Sequence, residues 1–318
     1  LLHILSITAP IYLLIALGWF IVRQGLFDKA ALRVMGRFVL QIALPALLFK
    51  ALATRPIGEV LNAGYLGAMA LGSLAVFGTV FGLTRRARGK GRAESTMQAV
   101  GSSFPNSVYM GYPIALQLVG PVAGVALALN LLVENLVLLP LMLVMAESTN
   151  SGSRQAALRN AFATLARNPM IIAIVAGFAA AVLKVPLPEP LLRAADLLAS
   201  VVAGIGLIVI GGSLVGLSTG GLGREISIIA AAKLLLHPLA VWGALWLMAW
   251  LALPVEPALR TAAITIAAMP MLGIYPILAQ KYGLDGPAAA AMLGTTVVSF
   301  FTITALLALL TSGAMPWP

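Results

Sequence analysis

Cysteine is absent from this chain of 318 residues, so neither disulfides nor thiol chemistry enter the account, and the redox compartment stays open. Charge is almost as scarce. Asp, Glu, Lys and Arg make up 9% of the sequence, against roughly 25% in soluble domains. The histidines are two, His3 and His237, and the ten acidic residues include no pair at metal-ligand spacing. A metal or nucleophile constellation for an intramembrane enzyme is therefore missing, and no catalytic residue, metal or cofactor is expected. What fills the chain is apolar: 61% of residues are hydrophobic and mean hydropathy is +1.02. The apolar runs are helix-length, which excludes a β-barrel built from alternating strands of about ten residues. The net charge of +10 would suit nucleic acid, but the basic residues sit in short loops between apolar runs, which is the signature of membrane orientation. The lipid bilayer is the expected partner and nucleic acid is not. The opening LLHILSITAPIYLLIALGWFIV lacks a basic flank and is longer than a signal-peptide core, so it reads as a retained first span.

A hydrocarbon core about 30 Å thick needs about 20 residues of helix. Ten such spans are expected: Ile4–Val22, Val34–Ala53, Val60–Leu83, Ser95–Leu118 and Pro121–Ala146, then Pro169–Leu183, Leu191–Leu217, Ile226–Leu253, Ala258–Ala279 and Pro287–Leu310. Residues 147–168 between the halves are polar and then weakly amphipathic, and read as a cytoplasmic linker joining repeats 1–146 and 169–318. With both termini outside, Arg23, Lys29, Arg33, Arg37, Arg85, Arg86, Arg88, Lys90, Arg92, Arg154, Arg159, Arg167, Arg224 and Lys281 fall on the cytoplasmic side, 14 in all. The opposite side collects 5: Lys50, Arg55, Lys184, Arg193 and Arg260. That bias sets the orientation expected in a cell's inner membrane. Five spans per half is an odd number, so the halves must insert with opposite topology. The expected fold is an all-α polytopic membrane protein, a 5+5 inverted repeat.

Two spans are interrupted. GSSFPNSVYMGYPIALQL, from Gly101, carries Pro105, Asn106 and Ser107 together, then Gly111 and Pro113. AAMPMLGIYPILAQ, from Ala267, carries Pro270, Gly273 and Pro276. A proline removes a backbone donor and clashes with the preceding turn. Inside lipid such a break is tolerated only against protein or a polar cavity. Each break is followed by a Gly-Pro, Gly120-Pro121 and Gly286-Pro287, at Pro-to-Pro intervals of 16 and 17 residues. Corresponding breaks in two halves point to the binding site of a secondary transporter. Spans four and nine run in opposite senses, and each is broken roughly 10 residues, or ~15 Å, from its start. The second half-helix of each then begins at the midplane, with free N–H groups and a positive dipole end that favour an anion. Asn106 is placed to cap the first, Ser107 adds a hydroxyl, and Leu272 and Gly273 offer backbone donors in the second. Pro105, Tyr109, Pro270, Met271 and Tyr275 complete the candidate substrate residues. Pro45, Pro140 and Pro238 read as kinks.

Polar residues inside spans are the remaining candidates. Glu134 lies about 13 residues into the fifth span, with Asn130 one turn before it and Asn135 beside it. A carboxylate there costs about 3 kcal/mol on insertion scales. It is a candidate coupling-proton carrier, or a structural partner within the bundle. Lys233 and His237 share a face of the eighth span, being four apart; they are candidates for coupling or support, and the simplest account of Lys233 is that it snorkels to the cytoplasmic surface. Glu94, Asp196, Glu225 and Glu256 lie near span ends and are expected to be solvated.

The motifs also resemble a known family. SSFPNSVYMGYP is similar to the FPN-x-G-x-x-G-x-P segment of the auxin efflux carrier family, which includes plant PIN carriers and bacterial organic-acid permeases. ALPALLF at Ala43–Phe49, KLLLHPL at Lys233–Leu239 and AAMP at Ala267–Pro270 resemble its second, eighth and ninth spans. Where many members carry Asn-Thr-Gly, this chain has Asn106-Ser107-Val108, and MPMLGIYPILAQKYG resembles the malonate-transporter branch more than the auxin one. The resemblance implies crossed broken helices, a scaffold of spans 1, 2, 6 and 7, elevator-like movement of the rest, and a homodimer through the scaffold. The function expected is secondary transport of a small organic anion, a dicarboxylate such as malonate. Alternatives are a sodium-coupled symporter resembling bile-acid carriers, an auxin-like monocarboxylate exporter, or a passive channel, which two closed half-helix ends suit less well.

Overall fold

The computed structural model describes residues 2–146, 159, 163, 165–217, 223–312 and 317. Among these, regular structure is helical apart from one isolated antiparallel bridge. Most of the linker 147–168, including Arg154, lies outside the described residues, as do 218–222 and Pro318.

The helices are α1 (Leu2–Arg23), α2 (Lys29–Phe38), α3 (Leu44–Ala53), the single turn α4 (Ile57–Val60), α5 (Ala63–Gly82), α6 (Arg92–Ser103), α7 (Tyr112–Val119), α8 (Val122–Val133) and α9 (Leu139–Ala146). They continue with α10 (Pro169–Leu183), α11 (Glu189–Ser213), α12 (Gly223–Ala231), α13 (His237–Trp250), α14 (Pro257–Ala267), α15 (Tyr275–Gln280) and α16 (Asp285–Thr311). Among the described residues, seven stretches are long and apolar enough to cross a membrane: Ser6–Arg23, Lys29–Ala53, Ile57–Ala87, Val122–Ala146, Glu189–Ser213, Glu225–Trp250 and Asp285–Thr311. Pro169–Leu183 is a shorter apolar helix. The fourth and ninth expected spans are the interrupted pairs α6–α7 and α14–α15. Helix starts follow local chemistry. The Asp28 carboxylate accepts from the Ala31 N–H at 2.6 Å, and Asn62 and Asn168 accept from Tyr65 and Met170 N–H groups.

Prolines inside the long helices do not end them. The residue before Pro45, Pro113, Pro140 and Pro238 donates five residues back instead of four: Leu44 to Val39, Tyr112 to Ser107, Leu139 to Glu134 and His237 to Ala232. Widening the turn by one residue relieves the clash between the proline ring and the carbonyl four residues earlier. Pro45, Pro140 and Pro238 therefore sit in continuous helices with a wide turn ahead of each. Two of these turns begin at or next to the buried charged residues, Glu134 and Lys233.

Packing divides the helices into two groups. In the first, α1 lies along α11, and α3 lies against α10 and α11. Gly18 and Gly211 make the α1–α11 approach possible, since a Cβ on either would run into the facing backbone at Ile208 or Ile15. In the second, α5 packs on α13 and α6, α14 on α7, α8 and α13, and α16 on α12 and α15. The groups meet where α3 touches α8 and where α11 touches the turn Ser107–Gly111. On the side rich in basic residues, Lys90 reaches Glu225 at 2.8 Å and Glu94 at 2.7 Å, and Arg88 reaches Glu225 at 3.3 Å. Glu94 and Glu225 are thus partly buried and ion-paired rather than solvated, because the loop after α5 folds over the start of α12. Asp196 pairs with Lys50, and Glu256 is exposed. The Lys90 ammonium is held above its ordinary range, by its hydrogen bond to Glu225 first and Glu94 second.

Candidate functional site: the paired helix breaks

Each interruption satisfies the other. Pro105 and Met271 form the isolated antiparallel bridge. Its hydrogen bonds run from the Asn106 N–H to the Pro270 carbonyl at 2.8 Å and from the Leu272 N–H to the Phe104 carbonyl at 3.1 Å. Pro105 and Pro270 have no N–H to strand, and the Asn106 and Leu272 N–H groups find partners without water. The Leu272 N–H is therefore spent on the bridge and is not available to a ligand, contrary to expectation.

The free donors lie one residue further on. Among the described residues no acceptor faces the N–H groups of Ser107 and Val108 in the first half-helix, or of Gly273 and Ile274 in the second. Asn106 is the cap expected of it: its Oδ1 accepts from the Tyr109 N–H at 3.3 Å, and Met110 and Gly111 N–H groups close on its carbonyl. All four residues with free donors line one cleft of about 750 Å³, mouth included, which Asn106, Tyr109 and Glu134 also line. Four uncommitted N–H groups and two helix starts give it a positive potential without a formal charge.

A carboxylate stands beside them. Glu134 is 6% exposed, and its Oε1 accepts from Asn130 Nδ2 at 2.7 Å and Ser107 Oγ at 3.0 Å. Ser107 thus ties the first half-helix to the α8–α9 wide turn. Asn135 does not join; its Nδ2 donates to the Leu131 carbonyl at 2.8 Å, within its own helix.

Lys233 does not snorkel. It is fully buried, with Nζ 2.6 Å from the Ala267 carbonyl and 2.8 Å from His237 Nδ1. His237 Nε2 lies 2.9 Å from Ser73 Oγ. Ala267 is the last residue of α14, so Lys233 caps the negative end of the half-helix that stops just before the bridge. The expected i,i+4 contact is made, but it points inward, because the wide turn Ala232–Leu236 faces the packed breaks.

The remaining candidates separate. Tyr109 sits between the helix groups: its hydroxyl donates to the Gly36 carbonyl at 3.4 Å, and its ring occupies the space a Cβ on Gly206 would take. The nearest atoms to the missing Cβ of Gly273 belong to Ile210, Asn106 and Tyr109, at 3.1, 3.8 and 3.9 Å. Tyr275 does not line this cleft; its hydroxyl donates to the Met97 carbonyl at 2.9 Å and its ring packs on Gly101. Pro270 and Met271 are buried and contribute backbone to the bridge. A second cleft, unsuspected from sequence, reaches Tyr109 and Gly273 from the α2 and α11 side and encloses about 1400 Å³ with its mouth.

Comparison with known proteins places the chain among membrane transport proteins. A family model described as "Membrane transport protein" matches residues 3–307. The chain is also 32% identical, over 318 residues, to a protein of Rhizobium meliloti (strain 1021) described as a "putative malonate transporter", covering 99% of this chain and 98% of that one.

Proposed function

The chain belongs to the membrane transport protein family, and from that premise we propose that it is a secondary transporter of a small dicarboxylate of the malonate class. The observation that carries the proposal is the pair of helix breaks whose free Ser107, Val108, Gly273 and Ile274 N–H groups line one cleft. Donors without formal charge suit a reversible anion site, because they bind a carboxylate without a salt bridge that would slow its release. In the proposed arrangement ten spans form a 5+5 inverted repeat in a cell's inner membrane, with both termini outside and the broken spans crossed. α1, α2–α3, α10 and α11 form the scaffold, through which two copies associate. The remaining helices carry the crossing across the bilayer in elevator fashion, a division the two packing groups support. Glu134 serves as the proton carrier, since it touches the first half-helix through Ser107 and lines the substrate cleft.

The test is counterflow in proteoliposomes loaded with unlabelled malonate, with labelled malonate outside. Transient accumulation that saturates supports a carrier, and linear equilibration supports a channel. Accumulation of monocarboxylates but not dicarboxylates refutes the substrate class. An absolute need for sodium at constant pH favours the sodium-coupled alternative.

A further inference from the structure

The second cleft has a chemical character the crossing lacks. Lys29, Arg33 and Arg37 lie at four-residue intervals on α2, so they share one helix face, and all three line the cleft together with Tyr109 and Gly273. They are exposed, and among the described residues none has a hydrogen-bond or ion-pair partner. Of the other basic residues on this side, Arg88 and Lys90 are ion-paired and Arg92 donates to the Met145 carbonyl at 2.8 Å, while Arg86 and Arg167 have no partner among the described residues but do not line this cleft. Orientation of the chain by its basic loops asks only that these side chains lie near the surface. It does not ask that three of them face one cavity whose far end is the crossing. α2 is brought there by a close approach, Gly36 lying against Val209 and the Tyr109 hydroxyl.

We propose that Lys29, Arg33 and Arg37 make this cleft an anion-collecting antechamber, in which Arg33 and Arg37 together hold the two carboxylates of a short dicarboxylate before it reaches the crossing. The assignment rests on the transport reading above and adds the step before binding. Side chains four apart on a helix start about 5–6 Å from each other, and each guanidinium can grip a carboxylate through two parallel N–H donors. A monocarboxylate would engage only one of them, so the antechamber discriminates by charge before the neutral donors of the crossing are reached. The same guanidinium pair could instead bind the phosphate of an anionic lipid, and the experiment separates the two.

Because the chain has no cysteine, Ser213→Cys on α11 places a single thiol in the cleft lining. Its reaction with an anionic and a cationic methanethiosulfonate reagent, in lipid-free detergent, reports the local potential without reference to transport. The expected result is a preference for the anionic reagent that falls on the order of 10-fold in Arg33→Gln/Arg37→Gln. Malonate should slow labelling, and lose that effect in the double variant. Arg33→Lys/Arg37→Lys keeps the charge, so it should retain the reagent preference and weaken malonate protection; it also guards against misfolding of the glutamine variant. An unchanged reagent ratio overturns the antechamber. So does malonate protection that is equal in all backgrounds, because the crossing alone then holds the anion. A preference abolished by added anionic lipid, with no protection by malonate in protein that shows malonate counterflow, assigns the pair to lipid and also overturns it. If counterflow itself fails, the substrate reading falls, and the reagent ratio still decides whether the cleft gathers anions.

Discussion

The proposed site gives Asn106 two separable jobs, and two substitutions at that position pull them apart. Its Oδ1 caps the first half-helix at Tyr109 N–H, while its Nδ2 lies 3.8 Å from the place a Cβ on Gly273 would occupy, inside the cleft proposed to hold substrate. Asn106→Ser keeps a capping oxygen and deletes the amide donor. Asn106→Ala deletes both. Loss of an N-cap costs about 1 kcal/mol, so thermal melting in detergent should be lowered for the alanine variant and close to wild type for the serine variant. Loss of one hydrogen bond to a charged ligand costs about 1.5–3 kcal/mol, roughly 10- to 150-fold in Kd. Malonate affinity, measured by titration calorimetry, should therefore fall in both variants while stability falls in only one. A serine variant with wild-type affinity would refute the contact and leave Asn106 a structural cap. An alanine variant with wild-type stability would refute the capping argument instead.

Four further outcomes are expected. Glu134→Gln should flatten the pH dependence of malonate uptake relative to wild type measured at each pH, and a full wild-type profile would make Glu134 structural; the Lys90 cluster does not confound this, because a raised lysine value keeps its contribution intact until the pH climbs past the ordinary lysine range and through the folded value. Lys233→Met leaves the Ala267 carbonyl and His237 without their partner, at about 1–3 kcal/mol for each buried group; melting should drop by several degrees, and adding His237→Leu should cost less than the sum of the single changes. Gly273→Ala puts a methyl 3.1 Å from Ile210 Cδ1 and toward Asn106 Nδ2, so malonate Kd should rise while the purified protein still melts cooperatively. A reporter fused after Pro318 should be active on the extracytoplasmic side, and a cytoplasmic signal would overturn the ten-span arrangement.

Much of this site is legible in the chain itself, where local chemistry decides. The prolines at 105 and 270, the cap at Asn106 and the i,i+4 partners Asn130–Glu134 and Lys233–His237 all depend on residues within a turn or two, and the structure joins each pair. What escapes is decided by which faces meet. Nothing near Leu272 says that its N–H will be consumed by Phe104, 168 residues earlier. Lys233 looks like a snorkelling residue until the Ala267 carbonyl, 34 residues away, is brought against it. Glu225 seems solvated until Arg88 and Lys90 fold over it. Four of the wide turns have a usable sequence signal, a proline two residues past each, though Leu83–Ala87 has none, and a helical wheel assumes 3.6 residues per turn and slips by one position there. The α2 cleft has no signal in the chain, because in sequence its basic residues read only as loop charge.

The mutual pairing of the two breaks also sets a schedule for making the protein. Met271 follows Pro105 by 166 residues. At about 5–20 residues per second, the ribosome needs roughly 8–33 s to supply it. Through that interval the Asn106 N–H and the Phe104 carbonyl lack these partners, and at the membrane depth proposed for them each would cost several kcal/mol if lipid reached it. On the proposed two-repeat arrangement, the first half would then have to wait for its counterpart before these groups are paired. Residues 1–146 made alone should be degraded, whereas the same segment co-expressed with 169–318 should persist, each half supplying the other's missing partners.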